Sequence, residues 1–334
     1  MAASTGTILV TGGAGYIGSH VAKALAGAGR RVVVYDDLSA GHRAAVRWGP
    51  LEVGDVRDSG HLRDVIRRHG VSAVMHFAAW LLVGESTRDP LGYYRNNVEG
   101  TLGLLRALVA ESVGSLVFSS TAAVFGNPET VPIGEDHPTR PINAYGETKL
   151  AVERALPHLE RAHGVRSVCL RYFNAAGADG GGEIGEDHAP ESHLIPRAIQ
   201  AASGGDALAV FGTDYPTPDG TCLRDYIHVD DLAQAHLLAL DHLERGGPSE
   251  TFNLGNGRPF SVLDIIRAVE RVSGRRVPWI PAPRRPGDPW ILCASSDRIR
   301  RLLGWVPRRD DLDTIVATAW RWHVAHPLGY EEET

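Results

Sequence analysis

Short apolar runs alternate with helix-like segments over the first half of this chain, and this alternation restricts the fold more than any other feature. The runs are rich in Val, Leu and Phe and lie at 7–10, 31–35, 73–77, 115–119 and 167–173. Helical patterns lie between them at 16–28, 59–68, 90–110 and 145–163. Strands that are buried on both faces and joined by helices form parallel sheets. We therefore predict a doubly wound, Rossmann-type α/β fold for residues 1–174, which we expect to bind a dinucleotide.

The pattern changes after residue 174. Residues 175–190 are rich in Gly, Asp and Ala, which is typical of a loop. Beyond it we predict helices at 194–202, 230–243 and 261–272, strands at 208–211 and 226–229, an irregular Pro-rich stretch at 278–289 and a helical tail from 296. We interpret 175–334 as a smaller C-terminal α/β region that mainly binds the substrate. This division leaves room for some later segments to return to the sheet.

Composition excludes several classes of partner. The formal net charge is −6, whereas nucleic-acid binding needs a basic surface. The cysteines Cys169, Cys222 and Cys293 lack the paired spacing of a disulfide framework or a zinc site. No apolar run approaches the roughly 18 residues of a membrane span, and no signal-peptide pattern is present. We expect a cytoplasmic protein with neither nucleic acid nor membrane as partner.

A glycine-rich turn joins the first predicted strand to the first predicted helix. Its glycines are Gly12, Gly15 and Gly18, and such a turn lets a pyrophosphate approach the backbone at the helix N-terminus. Asp36 ends the second predicted strand, where an acid accepts hydrogen bonds from the adenosine ribose and repels a 2′-phosphate. Asp37 adds a second negative charge. The sequence therefore predicts NAD rather than NADP as cofactor.

Lysine is rare in this chain, and one of its two lysines follows a tyrosine at helical spacing. Only Lys23 and Lys149 are lysine among the 34 basic residues. Tyr145 and Lys149 are four positions apart, so they share one face of a helix. The phenol of a free tyrosine has a pKa near 10, and a neighbouring ammonium together with a positive nicotinamide ring would lower it. We predict that Tyr145 is a general base and that Lys149 tunes it.

These motifs resemble the extended short-chain dehydrogenase/reductase superfamily. By that resemblance the third catalytic residue lies at the end of the fourth strand, and Thr121, 24 residues before Tyr145, ranks first. Its hydroxyl can both donate to and accept from a substrate oxygen. Ser120 ranks behind it, as a group on the nicotinamide side. The resemblance implies that further cofactor contacts come from Tyr16, Ile17, Asp55, Val56, Phe77, Ala78, Asn97, Ser120, Tyr145, Lys149 and Tyr172.

Nearly the whole chain is similar to the UDP-glucose 4-epimerase family. The most specific matches are the stretches 170–174, 214–216, 219–229 and 284–288. This resemblance implies that NAD transiently oxidises carbon 4 of a UDP-hexose, that the 4-keto sugar rotates, and that hydride returns to its other face. It also implies a homodimer formed through the helices at 90–110 and 145–163. The implied substrate contacts are Asn174, Arg224 and Arg285 at the diphosphate, His193 near it, Asp288 at the uridine ribose, Leu194 and Phe211 at the uracil, Thr121 at the hydroxyl, and Leu292 at the sugar.

Two alanines narrow the reaction. Dehydratases of this fold carry an acidic pair where this chain has Ala122 and Ala123, so no carboxylate is available there for elimination. That leaves reversible oxidation and re-reduction at one carbon, and the family resemblance implies UDP-glucose and UDP-galactose as the substrates. A 4-epimerase of a UDP-N-acetylhexosamine, UDP-xylose or UDP-glucuronate, or a non-catalytic NAD-binding sensor, remain as alternatives. We predict no metal, because the gap of five between His188 and His193 does not suit one helical face.

Overall fold

The computed structural model describes residues 6–285 and 289–331. Its helices are α1 Tyr16–Gly27, α2 Ser59–His69, α3 Val83–Ser86, α4 Pro90–Tyr93, α5 Gly100–Ala110, α6 Ala144–His163, α7 Leu194–Ala202, α8 Val229–Glu244, α9 Val262–Ser273, α10 Asp297–Leu303 and α11 Leu312–Ala325. Its strands are β1 Thr7–Thr11, β2 Arg31–Asp36, β3 Leu51–Val53, β4 Val71–His76, β5 Ser115–Thr121, β6 Arg166–Tyr172, β7 Asn174–Ala176, β8 Leu208–Phe211, β9 Leu223–His228, β10 Glu250–Leu254, β11 Pro259–Ser261, β12 Trp279–Ala282 and β13 Ile291–Leu292.

A seven-stranded parallel sheet forms the centre of the fold, in the order β10-β6-β5-β4-β1-β2-β3. Alternate side chains of each strand point to opposite faces. Ile8 and Val10 pack in a core with α1 and α8, whereas Leu9 packs in a second core with α2, α5 and α6. Because both faces are covered, the strands are almost wholly apolar, as the sequence indicated. The predicted doubly wound α/β fold is confirmed.

Elements that follow β6 in the chain form a second, smaller region. Strands β7, β9, β11 and β13 form one small sheet, and β8 pairs with β12. Helices α7, α9 and α11 pack together in a core of their own. One segment of the later half, β10, lies in the central sheet beside β6. Residues on both sides of position 174 therefore build the large sheet.

Two local expectations were wrong. The single helix predicted at 90–110 is α4, a π-helical segment at Tyr94–Glu99, and α5. The Pro-rich stretch contains a strand, β12, which pairs with β8 at an exposed edge. An edge strand tolerates Pro281, because the missing N–H of proline then breaks no hydrogen bond inside a sheet. In the described part of the chain, no helix has both the length and the apolar character needed to cross a bilayer.

Candidate active site

The glycine-rich turn lies at the carboxyl end of β1, and sterics explain two of its glycines. Gly12 has φ +71°, and a Cβ there would lie 2.4 Å from the Ala78 backbone nitrogen. A Cβ on Gly18 would lie 2.2 Å from the Gly12 carbonyl oxygen. Gly15 differs, because a Cβ there would have no protein atom nearer than 3.4 Å. Gly15 is therefore the least crowded of the three glycines, and it lies at the N-terminus of α1, where a bound anion would be stabilised.

Asp36 and Asp37 lie at the end of β2, beside the glycine turn. The buried Asp36 carboxylate accepts hydrogen bonds from the backbone N–H groups of Ala14 (3.0 Å) and Leu38 (2.9 Å). Burial raises the pKa of Asp36, and these hydrogen bonds oppose the rise. Asp37 is exposed and accepts hydrogen bonds from Ser39. The pair presents negative charge at the strand end, which disfavours an additional phosphate.

Four further residues predicted at the cofactor follow β3 and β4 at the carboxyl edge of the sheet. The backbone nitrogens of Phe77 and Ala78 both donate to the Thr11 carbonyl, which draws the end of β4 against Gly12. Val56 is buried. Asp55 pairs with Arg57, and this hydrogen-bonded guanidinium lowers the pKa of the Asp55 carboxyl. The structure thus brings these residues to one edge of the sheet.

Tyr16 and Ile17 begin α1. The Tyr16 hydroxyl donates to the Gly177 carbonyl at 2.6 Å, which ties the start of α1 to the loop after β7. Ile17 packs against the core on the α1 face of the sheet. Both residues therefore fix the position of the helix that carries the glycine turn.

Asn97 lies in the π-helical segment and is fully engaged by protein groups. Its side-chain oxygen accepts from the Trp80 N–H at 2.8 Å, and its amide donates to the Trp80 carbonyl and to the Thr148 hydroxyl. It joins the segment after β4 to α6. In this structure its contacts position the helix of Tyr145.

Three catalytic candidates meet where β5 ends and α6 begins. The Asn143 side chain caps α6 by accepting from the Gly146 N–H, so Tyr145 lies in the first turn. Thr121, the last residue of β5, lies beside the Tyr145 phenol. Lys149 is buried one turn further along and donates to the Ser119 carbonyl at 2.8 Å. The structure therefore places Thr121 at Tyr145 and Lys149 one turn along the same helix.

Burial dominates the pKa of Tyr145 in this structure. Burial raises the phenol pKa, and the neighbouring Thr121 hydroxyl only opposes that rise. Burial also lowers the pKa of Lys149 to about 7, against a smaller opposing influence of Glu153. An amine with that pKa is a full ammonium only part of the time at neutral pH. The lowering of the Tyr145 pKa by Lys149 together with a positive nicotinamide ring stays a prediction.

A buried ion pair behind these residues was missed by the sequence analysis. Arg171 of β6 donates to Glu153 of α6 through Nη2–Oε2 (2.6 Å) and Nε–Oε1 (3.0 Å), and the side chains are only 8% and 6% exposed. Ser120 donates to the same carboxylate. The i+4 spacing of Glu153 from Lys149 was the available signal, since it places both on the Tyr145 face of α6.

Tyr172, predicted at the cofactor, lies at the end of β6. Its hydroxyl hydrogen-bonds the Nε2 atom of His236, whose Nδ1 lies 2.8 Å from the Leu232 carbonyl. Burial lowers the pKa of His236 to about 4, so the imidazole is neutral and accepts from Tyr172. The Phe77 ring lies 4.9 Å from that imidazole. Tyr172 therefore belongs to a buried aromatic group at the same edge of the sheet.

The predicted substrate residues extend from this edge across the small sheet. Leu292 is the register partner of Arg224 in β9, and Leu292 also packs against the apolar group that contains Ala122. Asn174 donates to the Asp225 carbonyl at 3.0 Å. Leu194 begins α7 directly after His193. Of these side chains, Leu292 thus lies against the residues that follow β5.

Phe211 and Arg285 form a separate pair at the end of β8. The Arg285 guanidinium lies over the Phe211 ring, 4.0 Å from its centroid. Cation–π contact of this kind keeps an arginine near an aromatic surface on which a base can stack. Asp288, predicted at the uridine ribose, lies outside the described residues.

His193 belongs to a cluster that the sequence analysis rejected. Its Nδ1 lies 2.9 Å from Glu186 Oε1 and 3.0 Å from Glu191 Oε1, and His188 Nδ1 lies 3.3 Å from Glu186 Oε1. Burial lowers the imidazole pKa values, but the two carboxylates outweigh it and raise them to about 9 for His188 and about 10 for His193. The helical-spacing argument does not apply, because the residues lie in an irregular segment before α7.

Comparisons with known proteins agree with this geometry. Residues 8–255 match the NAD dependent epimerase/dehydratase family. The chain is 52% identical to a UDP-glucose 4-epimerase of Halalkalibacterium halodurans, over 98% of each chain. It is 51% identical to the crystal structure of a UDP-glucose 4-epimerase from Brucella ovis in complex with NAD, with a TM-score of 0.93 over 94% of this chain and 97% of that one.

A second solved structure shows the range of sugars among relatives. The UDP-Glc/GlcNAc 4-epimerase of Campylobacter jejuni is 40% identical, with a TM-score of 0.84 over 96% of this chain and 99% of that one. The chain therefore belongs to the NAD dependent epimerase/dehydratase family, within the group of the UDP-glucose 4-epimerases.

Proposed function

We propose that this protein interconverts UDP-glucose and UDP-galactose by NAD-dependent oxidation and re-reduction at carbon 4. The observation that carries the proposal is the placement of Thr121 beside Tyr145 at the carboxyl end of β5, with Lys149 buried one turn along the same helix. The names of relatives that are about half identical over nearly the full chain support the same reaction.

The residues of the glycine turn fit NAD. Gly15, the least crowded glycine of the turn, suits a pyrophosphate at the N-terminus of α1, and Asp36 suits a ribose with free hydroxyls. When bound, NAD supplies the acceptor for the carbon-4 hydride and the donor that returns it. We propose that residues 1–174 mainly hold the cofactor and that 175–334 mainly hold the UDP-sugar.

Proton transfer falls to Tyr145. A phenol with a raised pKa is protonated at neutral pH, so it can act as a base only where positive charge lowers that pKa. Lys149, together with the positive charge of oxidised NAD, is proposed to supply this charge. Thr121 then orients the 4-hydroxyl while Tyr145 takes its proton. The same phenol returns the proton once the 4-keto sugar has rotated.

The substrate residues hold one end of the ligand and leave the other end free to rotate. Arg224, Arg285 and Asn174 are proposed to bind the diphosphate, for which guanidinium groups are well shaped. His193 is proposed to lie beside the diphosphate, and Leu194 and Phe211 to enclose the uracil. The sugar would face Leu292 and Ala122, which offer no polar groups to fix either epimer.

Sugar analysis after incubation with UDP-galactose, without added reductant, tests the reaction. We expect UDP-glucose to form, and a parallel panel of UDP-N-acetylglucosamine, UDP-xylose and UDP-glucuronate tests the alternatives. Product from UDP-xylose but not from UDP-galactose would refute the choice of hexose. Protein that retains NAD and converts none of these sugars would support the sensor alternative.

Replacement of Tyr145 by Phe tests the mechanism. The variant should retain NAD, because the glycine turn is untouched, and should lose at least about 10²-fold in turnover, as is typical when a general base is removed. Tyr94→Phe is the matched control, since Tyr94 is 42% exposed. Near-normal turnover by Tyr145→Phe would contradict the role of the phenol.

We also propose that the protein is a cytoplasmic homodimer. Helices α5 and α6 are neighbours and enclose an apolar groove lined by Leu102, Leu105, Val109, Leu159 and Ala162. A second copy can cover this groove with its own helix pair, which would form a four-helix bundle. Leu159→Arg should shift the mass measured by analytical ultracentrifugation from dimer to monomer. Leu328→Arg is the control, because Leu328 is 94% exposed, and a dimer unaffected by Leu159→Arg would exclude this interface.

A further inference from the structure

Four side chains between β7 and α7 converge on one point. They are Glu186, His188, Glu191 and His193, and the potential ligand atoms of the four all lie within 4.8 Å of one another. Three of the residues precede α7 in an irregular segment, and His193 is the N-cap residue of that helix. The proposed reaction does not use Glu186, His188 or Glu191, whereas His193 is also proposed to lie beside the diphosphate.

The ligand atoms have the spacing of a small coordination sphere. Atoms held about 2.0–2.1 Å from one zinc ion at the corners of a tetrahedron lie roughly 3.3–3.4 Å apart. The imidazole-to-carboxylate distances here are 2.9, 3.0, 3.3 and 3.7 Å, all measured from the histidine Nδ1 atoms. Small side-chain movements would therefore suffice to place the four atoms around one ion.

The carboxylates are nearly buried and depend on the histidines for compensating charge. The Glu186 and Glu191 side chains are 5% and 6% exposed. Within residues 6–285 and 289–331, their side-chain ion pairs are formed only with His188 and His193. Two adjacent buried carboxylates repel each other and require positive charge nearby. One divalent cation with two neutral imidazoles would provide the same balance of charge as two imidazolium ions.

One ring nitrogen points into the cluster without a hydrogen bond. His188 Nδ1 is buried and faces the Glu186 and Glu191 carboxylates at 3.3 and 3.7 Å, but in the described part of the chain neither contact has the geometry of a hydrogen bond. Buried polar atoms are normally paired, and unpaired ones require an explanation. A metal ion would use the lone pair of this nitrogen.

The scaffold around the cluster is rigid enough to hold ligands in place. The Trp322 indole donates to the Glu186 carbonyl, and the Tyr330 hydroxyl accepts from the Gly185 N–H at 3.1 Å. The Glu191 carboxylate is fixed by the backbone N–H groups of Ser192 and His193, both at 2.7 Å. The His193 side chain is 40% exposed, which leaves a route for an ion to enter.

We propose that Glu186, His188, Glu191 and His193 form a binding site for one divalent first-row transition metal ion, best matched by Zn²⁺. Imidazole and carboxylate ligands suit zinc in four-coordinate sites, whereas Mg²⁺ prefers an all-oxygen octahedron. The ion would join the segment after β7 to the start of α7. This site revises our prediction that the chain binds no metal.

Isothermal titration of tag-free, chelator-treated protein with Zn²⁺, and separately with Mg²⁺, tests the proposal. Because the ion must displace protons from the imidazoles, we choose about pH 8 for the titration. We expect one equivalent of Zn²⁺ per chain, weak or no Mg²⁺ binding, and a Zn²⁺-dependent rise of several degrees in Tm. Absence of both zinc binding and a Tm shift in the wild-type protein would overturn the proposal and leave an ion-pair cluster only.

Variants locate the ion. His188→Gln should weaken zinc binding at least about tenfold, since it removes one of four ligands. His69→Gln is the matched control, because His69 also pairs with a carboxylate, Glu52 at 2.7 Å, and is similarly shielded from solvent. Equal affinity in both variants would place the ion elsewhere and refute the site. The second variant, Glu186→Gln, guards against a folding defect in the first. Zinc binding is read without substrate, so its failure is distinct from failure of the proposed epimerase activity.

Discussion

Replacing Glu153 by Gln would remove the negative charge beside Arg171 while nearly preserving side-chain shape. Arg171 would keep only the Glu135 carbonyl and the Phe125 ring as described partners, in a site where it is 8% exposed. Breaking one side of such a buried pair costs about 3–5 kcal/mol. A chain of 334 residues has an unfolding entropy near 0.7 kcal/mol/K, so Tm should fall by about 4–7 °C.

The same substitution should alter the pH profile of the reaction. Burial lowers the pKa of Lys149 to about 7, and the charge of Glu153 acts in the opposite direction. Without that charge the pKa of Lys149 falls further, so the ammonium is lost at lower pH. If Tyr145 depends on a charged Lys149, the alkaline limb of kcat moves to lower pH, and activity falls more at pH 8 than at pH 6.

Thermal unfolding and initial rates from about pH 6 to 9 would measure both effects. Glu129→Gln is the control for the ion pair, because Glu129 and Arg140 are 55% and 75% exposed and such pairs contribute less than about 1 kcal/mol. The double change Glu153→Leu with Arg171→Met should recover much of the lost stability, since no unpaired charge remains. An unchanged alkaline limb together with a Tm within a degree of wild type would refute the reasoning.

Two further substitutions have controls within this chain. Lys149→Arg should lower kcat at least about tenfold, because guanidinium keeps its charge but cannot reproduce the position or the pKa of the amine. Lys23→Arg, at the other lysine, is the control and should leave kcat unchanged. Equal effects of the two substitutions on kcat would contradict the role of Lys149. Gly18→Ala should lower bound NAD and cost about 1–3 kcal/mol, because its Cβ would lie 2.2 Å from a backbone oxygen. Gly27→Ala, at the end of the same helix with no atom within 4 Å, should retain NAD, and the same retention in Gly18→Ala would contradict the steric argument.

Local sequence patterns were sufficient for five strands of the central sheet but not for β3 and β10. The apolar runs of β1, β2, β4, β5 and β6 are readable because each is buried on both faces. Strand β10 reads Glu-Thr-Phe-Asn-Leu, which has too few apolar residues for such a pattern. It joins the sheet through β6, about 80 positions earlier in the chain. Pairing at that separation leaves no local signal.

The same distinction between local and long-range signals applies to the candidate site. The glycine turn and the Tyr145–Lys149 spacing depend on neighbours in one or two consecutive elements, so they can be read from the sequence. The Glu153–Arg171 pair joins α6 to β6, and the cluster around His188 forms in an irregular segment, where helical spacing has no meaning. A sequence motif also could not indicate that the fold raises the pKa of Tyr145, because burial is a property of the complete fold.

Two buried cations, Arg171 and Lys149, lie behind the site, and they differ in how readily they lose a proton. Arg171 cannot lose its proton under ordinary conditions, so it can hold Glu153 ionised and in place throughout a reaction. Lys149 is buried beside the same carboxylate, but its pKa of about 7 lets its charge respond to its surroundings. A second arginine at 149 would replace a variable charge with a permanent one. The division into one fixed ion pair and one titrating amine gives a physical reason for a lysine at this position in a protein in which 32 of the 34 basic residues are arginine.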